Sequence, residues 1–343
     1  MPRLSGLRLE RAMASKQYRN GKFHNASGVG AVMSGNSAAI MADFAFGGRK
    51  RNPTGPLPVV DPLPAWSRGS DTGLRITWLG HSSFLLEIDK FRILVDPMFA
   101  EYASPVSFVG RKRFHPVPAS LDRFPKLDAV LVSHDHYDHL SATTMRRIGS
   151  MRLPVITSLG VGARLENMGV DSELIVELDW HEEHLAGGGD LSITAMPAQH
   201  FSGRGLTDRN DTLWSSWVIR SPRHNVFYSG DTGLTDELSA IGRNFGPFDV
   251  CLIEIGASNP AWAHIHLGPV NAARAFGMLG GGTLLPLHWG TFDLALHRWD
   301  EPPETLLRIA SREGLRVITP RIGAPVEPSR IESPDAWWRE VTP

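Results

Sequence analysis

The stretch LVSHDHYDHL, Leu131 to Leu140, places His134, His136, Asp138 and His139 within six consecutive positions straight after an apolar run, with Asp135 among them. Imidazoles and carboxylates at this density are the donor set of a metal site. In an extended segment residues i and i+2 point the same way, so His134 and His136 can share one centre, and a turn then brings Asp138 and His139 toward a second. Taken alone, the hexad also fits a solvated histidine-rich loop. The other His and Asp residues decide between the two readings. His200 closes LSITAMPAQH, Asp231 closes NVFYSGD and His288 closes GTLLPLH, so four apolar, strand-like runs each deliver a metal-capable side chain at the C-terminal end. In sheets of α/β type, functional groups collect at that end of the strands. His134, His136, His200 and Asp231 could hold one ion; Asp138, His139 and His288 could hold a second, with Asp231 shared. Imidazole plus carboxylate without thiolate suits zinc and tolerates iron, manganese or cobalt, so two Zn2+ are the expected cofactor, with Fe or Mn as substitutes.

Around these groups the chain reads as short β-rich runs from Leu74 onward. LRITWLG, SFLLEID and FRILVDP predict consecutive strands with a tight turn at Asp89-Lys90, and DAVLVSH a fully apolar strand. LPVITSL leads into a predicted helix at Gly162–Met168. ELIVELDW, LSITAMP, SSWVIRS and NVFYSGD predict further strands. Helical patterns at Thr235–Asn244 and Pro269–Leu279 are each followed by an apolar strand, and a last helix, Pro303–Glu313, precedes a strand at LRVITP. Hairpin-like strands first and helix–strand alternation later indicate an α/β protein with two sheets and outer helices. Residues 1–73 read as an N-terminal arm and linker, in which the proline-rich RNPTGPLPVVDPLPAW is expected to be extended; residues 74–343 read as the catalytic domain.

Composition narrows the function. The 343 residues carry a formal net charge of −1, which leaves no electrostatic footprint for nucleic acid. The single cysteine, Cys251, sits in an apolar run; no disulfide can form within the chain, which fits a cytoplasmic location. No secretory h-region is visible, and Ser27–Gly48, interrupted by Asn36 and Asp43, falls short of the roughly 18 apolar residues of a spanning helix. That segment ends in the basic GGRKR, so peripheral contact with a membrane surface is compatible with it. A homo-oligomer is neither required nor excluded.

H-x-H-x-D-H after an apolar strand, with a later His, Asp and His, resembles the metallo-β-lactamase superfamily. TWLGHSSFLLEID, LVDPMF, ASPVSFVGRKRF, VSHDHYDHL, ELDWHEEH, GPFDVCLIEIGA and LHWGTF resemble its N-acyl-phosphatidylethanolamine-hydrolysing phospholipase D branch and related bacterial zinc-dependent hydrolases, over roughly Asn52 to Ile318. WLGHSS is also similar to the start of the ascorbate-6-phosphate lactonase branch. The resemblance implies a four-layer αββα sandwich with the metals at one sheet edge, and ligands at His134, His136, Asp138, His139, His200, Asp231 and His288. It also implies that Asp96 hydrogen-bonds a ligating histidine and fixes its tautomer, and that His266 lies near substrate. Two positions depart from the phospholipase pattern: Ser107 stands where a glutamine is expected, and Phe276 where a histidine is expected.

The chemistry expected of such a site is hydrolysis by a metal-bridging hydroxide whose pKa is lowered toward ~7. On a phosphodiester the ions stabilise the charge that builds on the equatorial oxygens. Asp138 is expected to bind an ion and orient the nucleophile, and His266 to contact phosphate or protonate the leaving alkoxide. His81, at the strand end in LGHSS, is expected to support a ligand rather than to react. Trp214, Trp217 and Trp262 fall in predicted loops near the ligand-bearing ends, where such rings either line an acyl chain or belong to the core. A phospholipase D-type phosphodiesterase acting on a phospholipid is the leading expectation. A lactonase or other C–O or C–N hydrolase of a small molecule is the alternative, and a di-iron redox enzyme or a non-catalytic metal module comes third.

Overall fold

The computed structural model describes residues 4–30, 51–105 and 110–341. Most of the segment Ser27–Gly48 and the position Ser107 lie outside the described residues. The chain opens with a helix, Gly6–Ala14, and a short hairpin of β1 (Tyr18–Arg19) and β2 (Lys22–Phe23). Strands β3 (Leu74–Gly80), β4 (Ser83–Ile88) and β5 (Phe91–Val95) follow, and Asp89 makes the two-residue turn between the last two with φ +49°. A minor pair, β6 (Tyr102–Ala103) and β7 (Arg111–Lys112), precedes β8 (Ala129–Val132), β9 (Val155–Ser158) and β10 (Ile175–Leu178). The second half supplies β11 (Glu183–Ala186), β12 (Leu191–Met196), β13 (Ser216–Arg220), β14 (Asn225–Tyr228), β15 (Val250–Glu254) and β16 (Thr283–Leu287), and β17 (Pro325–Val326) comes near the end.

These strands form a seven-stranded sheet in the order β10-β9-β8-β5-β4-β3-β17 and a six-stranded sheet in the order β11-β12-β13-β14-β15-β16. Both faces of each sheet are covered, so the strands are apolar on both sides and successive side chains enter different cores. In β4, Phe84, Leu86 and Ile88 join the core between the sheets, while Leu85 joins the cluster under the helix Ala142–Met151. In β5 and β8, Ile93, Val95 and Leu131 face inward, and Leu94, Val130 and Val132 face that helix. Tyr228 of the second sheet packs edge-on against Phe84 of the first, with centroids 5.2 Å apart. The helices Glu237–Phe245, Gly268–Met278 and Glu301–Glu313 extend the main core through Leu238, Ile241, Ala272, Phe276 and Leu306. The arrangement is the expected αββα sandwich. Phe276, the second departure from the phospholipase pattern, is one of these core residues.

Three local readings change. LRVITP is not a strand: Val317 makes one isolated parallel bridge to Leu284, at the free edge of β16, and Pro320 ends the segment. The proline-rich linker is not uniformly extended, because Pro62 and Pro64 favour the first turn of a helix and Leu63–Trp66 forms one. Trp217 lies within β13 rather than in a loop, and Trp214 and Trp217 are both fully buried. None of the described helices is long and apolar enough to cross a membrane.

Pairing directions settle where the site must be. β3 and β5 both run antiparallel to β4, and β5 runs parallel to β8. In the other sheet β12 and β14 both run antiparallel to β13, and β14, β15 and β16 are parallel. Within each sheet these strands therefore share one carboxyl end. From those ends follow His81 after β3, Asp96 after β5, His134 after β8, His200 after β12, Asp231 after β14, Glu254 at the end of β15 and His288 after β16.

Candidate metal centre

The chain turns sharply where it leaves these strands. His81, Asp96 and His288 all adopt positive φ, +54°, +39° and +66°, immediately after their strands. Such conformations cost non-glycine residues about 1–3 kcal/mol each and persist only where their surroundings over-determine them. After His134 the chain turns at residues 137–139, with the amides of His139 and Leu140 donating to the carbonyl of His136 at 3.1 and 2.8 Å. That turn swings Asp138 and His139 round, as the spacing predicts.

Two groups of donor atoms result. In the first, His134 Nε2 and His136 Nδ1 are 2.9 Å apart, and His136 Nδ1 and His200 Nε2 are 3.2 Å apart. Asp231 Oδ2 lies 3.8 Å from His134 Nε2 and 3.7 Å from His200 Nε2. In the second, His139 Nε2 is 3.2 Å from Asp231 Oδ1 and 3.8 Å from Asp138 Oδ2. His288 Nε2 is 3.3 Å from Asp138 Oδ2 and 3.2 Å from Asp231 Oδ2. A tetrahedral ion with bonds of about 2.0–2.1 Å sets its ligand atoms about 3.3 Å apart. Both groups have that spacing, and Asp231 belongs to both.

The donor chemistry also fits a metal. His139 Nε2, His288 Nε2 and Asp231 Oδ1 are buried without a hydrogen-bond partner, so these atoms meet without bonding one another. The outer nitrogens of His134, His139 and His200 are fixed. Ser133 Oγ donates to Asp96 Oδ2 at 2.6 Å and so accepts from His134 Nδ1 at 2.9 Å. His139 Nδ1 donates to Asp96 Oδ2 at 2.7 Å and His200 Nδ1 to the carbonyl of Ile265 at 3.0 Å. In each case the Nε2 lone pair is left for a ligand bond. His81 Nε2 is 2.9 Å from Asp138 Oδ2, so His81 touches a second-group carboxylate directly and belongs to the same cluster.

Comparison with known proteins agrees with this geometry. The profile of the Beta-lactamase superfamily domain matches residues 91–289. The chain belongs to the metallo-β-lactamase superfamily. An uncharacterised protein of Mycobacterium tuberculosis is 45% identical over 291 residues, covering 84% of this chain and 77% of that one. N-acyl-phosphatidylethanolamine-hydrolyzing phospholipase D 1 of Caenorhabditis elegans is 36% identical over 260 residues, covering 72% of this chain and 73% of that one. Among solved structures, Igni18, a metallo hydrolase from the archaeon Ignicoccus hospitalis, superimposes with a TM-score of 0.55 at 24% identity, over 74% of this chain and 97% of that one. As a member of this superfamily the protein is a metal-dependent hydrolase.

Within this metallo-β-lactamase centre the histidines divide electrostatically. Burial, followed by the neighbouring imidazoles of His139 and His136, holds His134 well below the ordinary imidazole value; burial does the same for His200 against the pull of Asp231. His139 and His288 go the other way. Burial opposes their charge, but Asp231, with Asp138, overcomes it and pushes His139 well up and His288 to about 10. Burial would raise Asp138 and Asp231; His139 above all, with His288, holds both well below the usual carboxylate range. Two carboxylates, the buried Asp231 and the partly buried Asp138, thus draw positive charge toward themselves, a demand that protonated His139 and His288 or a divalent ion can meet.

Several functional contacts escape a sequence reading. Asp135 is no ligand. Its Oδ1 accepts from the amide of Gly203 at 2.8 Å, its Oδ2 faces Arg164 Nε at 3.3 Å, and Arg204 donates to its carbonyl at 2.6 Å, pinning the hexad from behind. Glu254 is fully buried; its Oε2 accepts from His266 Nδ1 at 2.7 Å and its Oε1 from the amide of Thr232 at 2.7 Å. Burial raises the Glu254 carboxyl, with His266 pulling it back. With Asp231 and His288, this pair forms a third cluster of metal-capable groups. Glu254 ends an apolar strand, CLIE, so the strand-end rule that finds His288 would have found it. Trp214 Nε1 donates to the carbonyl of Ala198 at 3.0 Å and Trp262 Nε1 to that of Ala257, so both rings are tied into the protein.

Proposed function

We propose that this protein is a binuclear metal-dependent phosphodiesterase of phospholipase D type, acting in the cytoplasm at a membrane surface on N-acyl-phosphatidylethanolamine or a closely related phosphodiester. The observation that supports it most directly is the shared carboxylate. Asp231 lies within 3.8 Å of a ligand nitrogen in both donor groups, the arrangement that lets two ions face one scissile bond. The 36% identity to a phospholipase of that specificity, over most of both chains, supports the substrate class.

His134, His136, His200 and Asp231 would hold one zinc, and Asp138, His139, His288 and Asp231 the other. When bound, the ions supply Lewis acidity and a nucleophile at neutral pH. The protein's own groups then position and protonate. His81 Nε2 holds Asp138 Oδ2 at 2.9 Å and keeps that carboxylate turned toward the reacting centre. Glu254 accepts the His266 Nδ1 proton, so with Nε2 protonated as well His266 would give that second proton to the departing alkoxide, or hold a phosphate oxygen through it.

Mass-spectrometric product analysis tests the proposal. Zinc-loaded protein incubated with N-acyl-phosphatidylethanolamine in mixed micelles should yield phosphatidate and N-acylethanolamine, absent with His134→Ala. A verified two-zinc sample that makes neither product across detergents and pH would refute it and point to carbonyl substrates such as lactones.

A further inference from the structure

The superfamily profile begins at residue 91, yet the N-terminal segment reaches the metal centre. His200 lies four residues beyond the end of β12 at Met196, farther from its strand than His81, Asp96, His134, Asp231 or His288. What fixes it is Asn25. The buried Asn25 side chain accepts from the His200 amide through Oδ1 at 3.0 Å and donates to the His200 carbonyl through Nδ2, also at 3.0 Å. One side chain therefore holds both main-chain groups of one ligand. The same Oδ1 accepts from Trp214 Nε1 at 3.1 Å, and Nδ2 also donates to the carbonyl of Val29 at 2.8 Å.

A second path runs to the His200 ring. Ser27 Oγ donates to Gln199 Oε1 at 2.7 Å, and Gln199 Nε2 donates to the carbonyl of His264 at 2.7 Å. The next carbonyl, Ile265, accepts from His200 Nδ1 and sets its tautomer. The segment is itself anchored, since Ala12 and Phe23 are buried with Leu159, Trp180, Ala198, Leu213 and Trp214. Such anchoring gives the Asn25 amide a fixed frame from which to orient its partner, as a preorganised site requires.

We infer that Asn25 is a positioning residue of the metal centre, and that the described N-terminal segment, residues 4–30, controls occupancy of the ion held by His134, His136, His200 and Asp231. The inference rests on the reading of His200 as a metal ligand. Loss of outer partners of ligating histidines costs about 10–100-fold in metal affinity. Full-length Asn25→Ala, Ser27→Ala and His200→Ala proteins would be compared by zinc–chelator competition, by the visible spectrum after cobalt substitution, and by hydrogen exchange of the 197–202 peptide in metal-free protein. Asn25→Ala should bind one ion about 10–100-fold more weakly, leave the other unchanged, shift the spectrum of the weakened site and speed exchange at the His200 amide. Ser27→Ala, at an exposed position, should move the same ion in the same direction by less. Asn25→Ala with wild-type affinities and spectrum, beside a His200→Ala protein that loses one ion, overturns the inference alone. A His200→Ala protein that keeps both ions overturns the ligand reading beneath it. If Asn25→Ala does not fold, a Ser27→Ala protein identical to wild type in all three readouts also refutes the inference.

Discussion

Asp96 is the residue on which both donor groups depend, and Asp96→Asn tests that dependence with almost no change of shape. The carboxylate is fully buried and accepts four hydrogen bonds. Oδ1 takes the Ser133 amide at 2.7 Å; Oδ2 takes Ser133 Oγ at 2.6 Å, His139 Nδ1 at 2.7 Å and Tyr228 Oη at 2.5 Å. An asparagine offers one acceptor oxygen and one NH2. If the oxygen keeps the Ser133 amide, the NH2 faces the other three donors. The two hydroxyls can rotate and accept, but the His139 N–H cannot. His139 must then lose the bond or move its proton to Nε2, the atom that lies 3.2 Å from Asp231 Oδ1 and would bind the ion. If the amide flips, His139 is kept and the buried Ser133 N–H is left without an acceptor. Either outcome leaves one buried polar group unpaired, about 1–3 kcal/mol. In the first orientation the loss falls on metal affinity, in the range of about 10–100-fold known for outer partners of ligating histidines; in the second it falls on folding stability. Chelator competition and urea denaturation of the same preparation separate the two. The expected result is weaker binding of the ion held by His139, a lower unfolding free energy, or a division between them. Wild-type affinity for both ions together with wild-type stability would refute the reasoning.

Metal removal and pH give a further test. Burial holds His134 and His200 below the unfolded imidazole value, so their contribution to stability is present above pH ~6.5 and is lost as pH falls. His288 is raised to about 10, so its contribution is fully present below pH ~6.5 and is lost as pH rises toward 10. Thermal melts of chelator-stripped protein should therefore fall on both sides of neutrality, whereas in loaded protein the alkaline loss should vanish, because ligation requires deprotonated His139 and His288. An alkaline limb identical with and without metal would count against the assignment. Glu254→Gln should keep both ions and lower kcat by about 100-fold or more, since an NH2 opposite His266 Nδ1 undoes the fixed tautomer; metal analysis beside steady-state kinetics checks it, and an unchanged kcat would remove His266 from the chemistry.

The cluster of donor groups was legible because strand-end placement is local information. An apolar run followed by His or Asp shows in a window of ten residues, and four such windows point to one edge without any knowledge of strand order. The αββα layers were legible for a related reason, since strands covered on both faces read as continuous apolar runs, as β8 does. LRVITP has the same composition and yet forms a single bridge, because pairing depends on the neighbour it meets rather than on its own propensity. The tryptophans show the same limit. Ring size says that Trp214 and Trp217 bury large surfaces, but only packing reveals that those surfaces face the core rather than a lipid.

What stayed hidden in the sequence are contacts between distant positions and residues of ambiguous type. Asn25 and His200 are 175 positions apart, and asparagine at a chain start reads as loop. Glu254 is a different case, because its placement at the end of β15 was visible and its chemistry was not. A carboxylate there can serve as a ligand or as a partner for a histidine, and the two roles differ only in where the oxygens point. The structure sets Oε2 at 2.7 Å from His266 Nδ1 and gives Oε1 to the Thr232 amide, so both oxygens have partners. Asp231, the neighbouring carboxylate, keeps Oδ1 without one. That difference separates the two roles: the acid with an unpartnered oxygen is suited to be a ligand, and the acid with both oxygens occupied is suited to hold the histidine proposed to meet substrate.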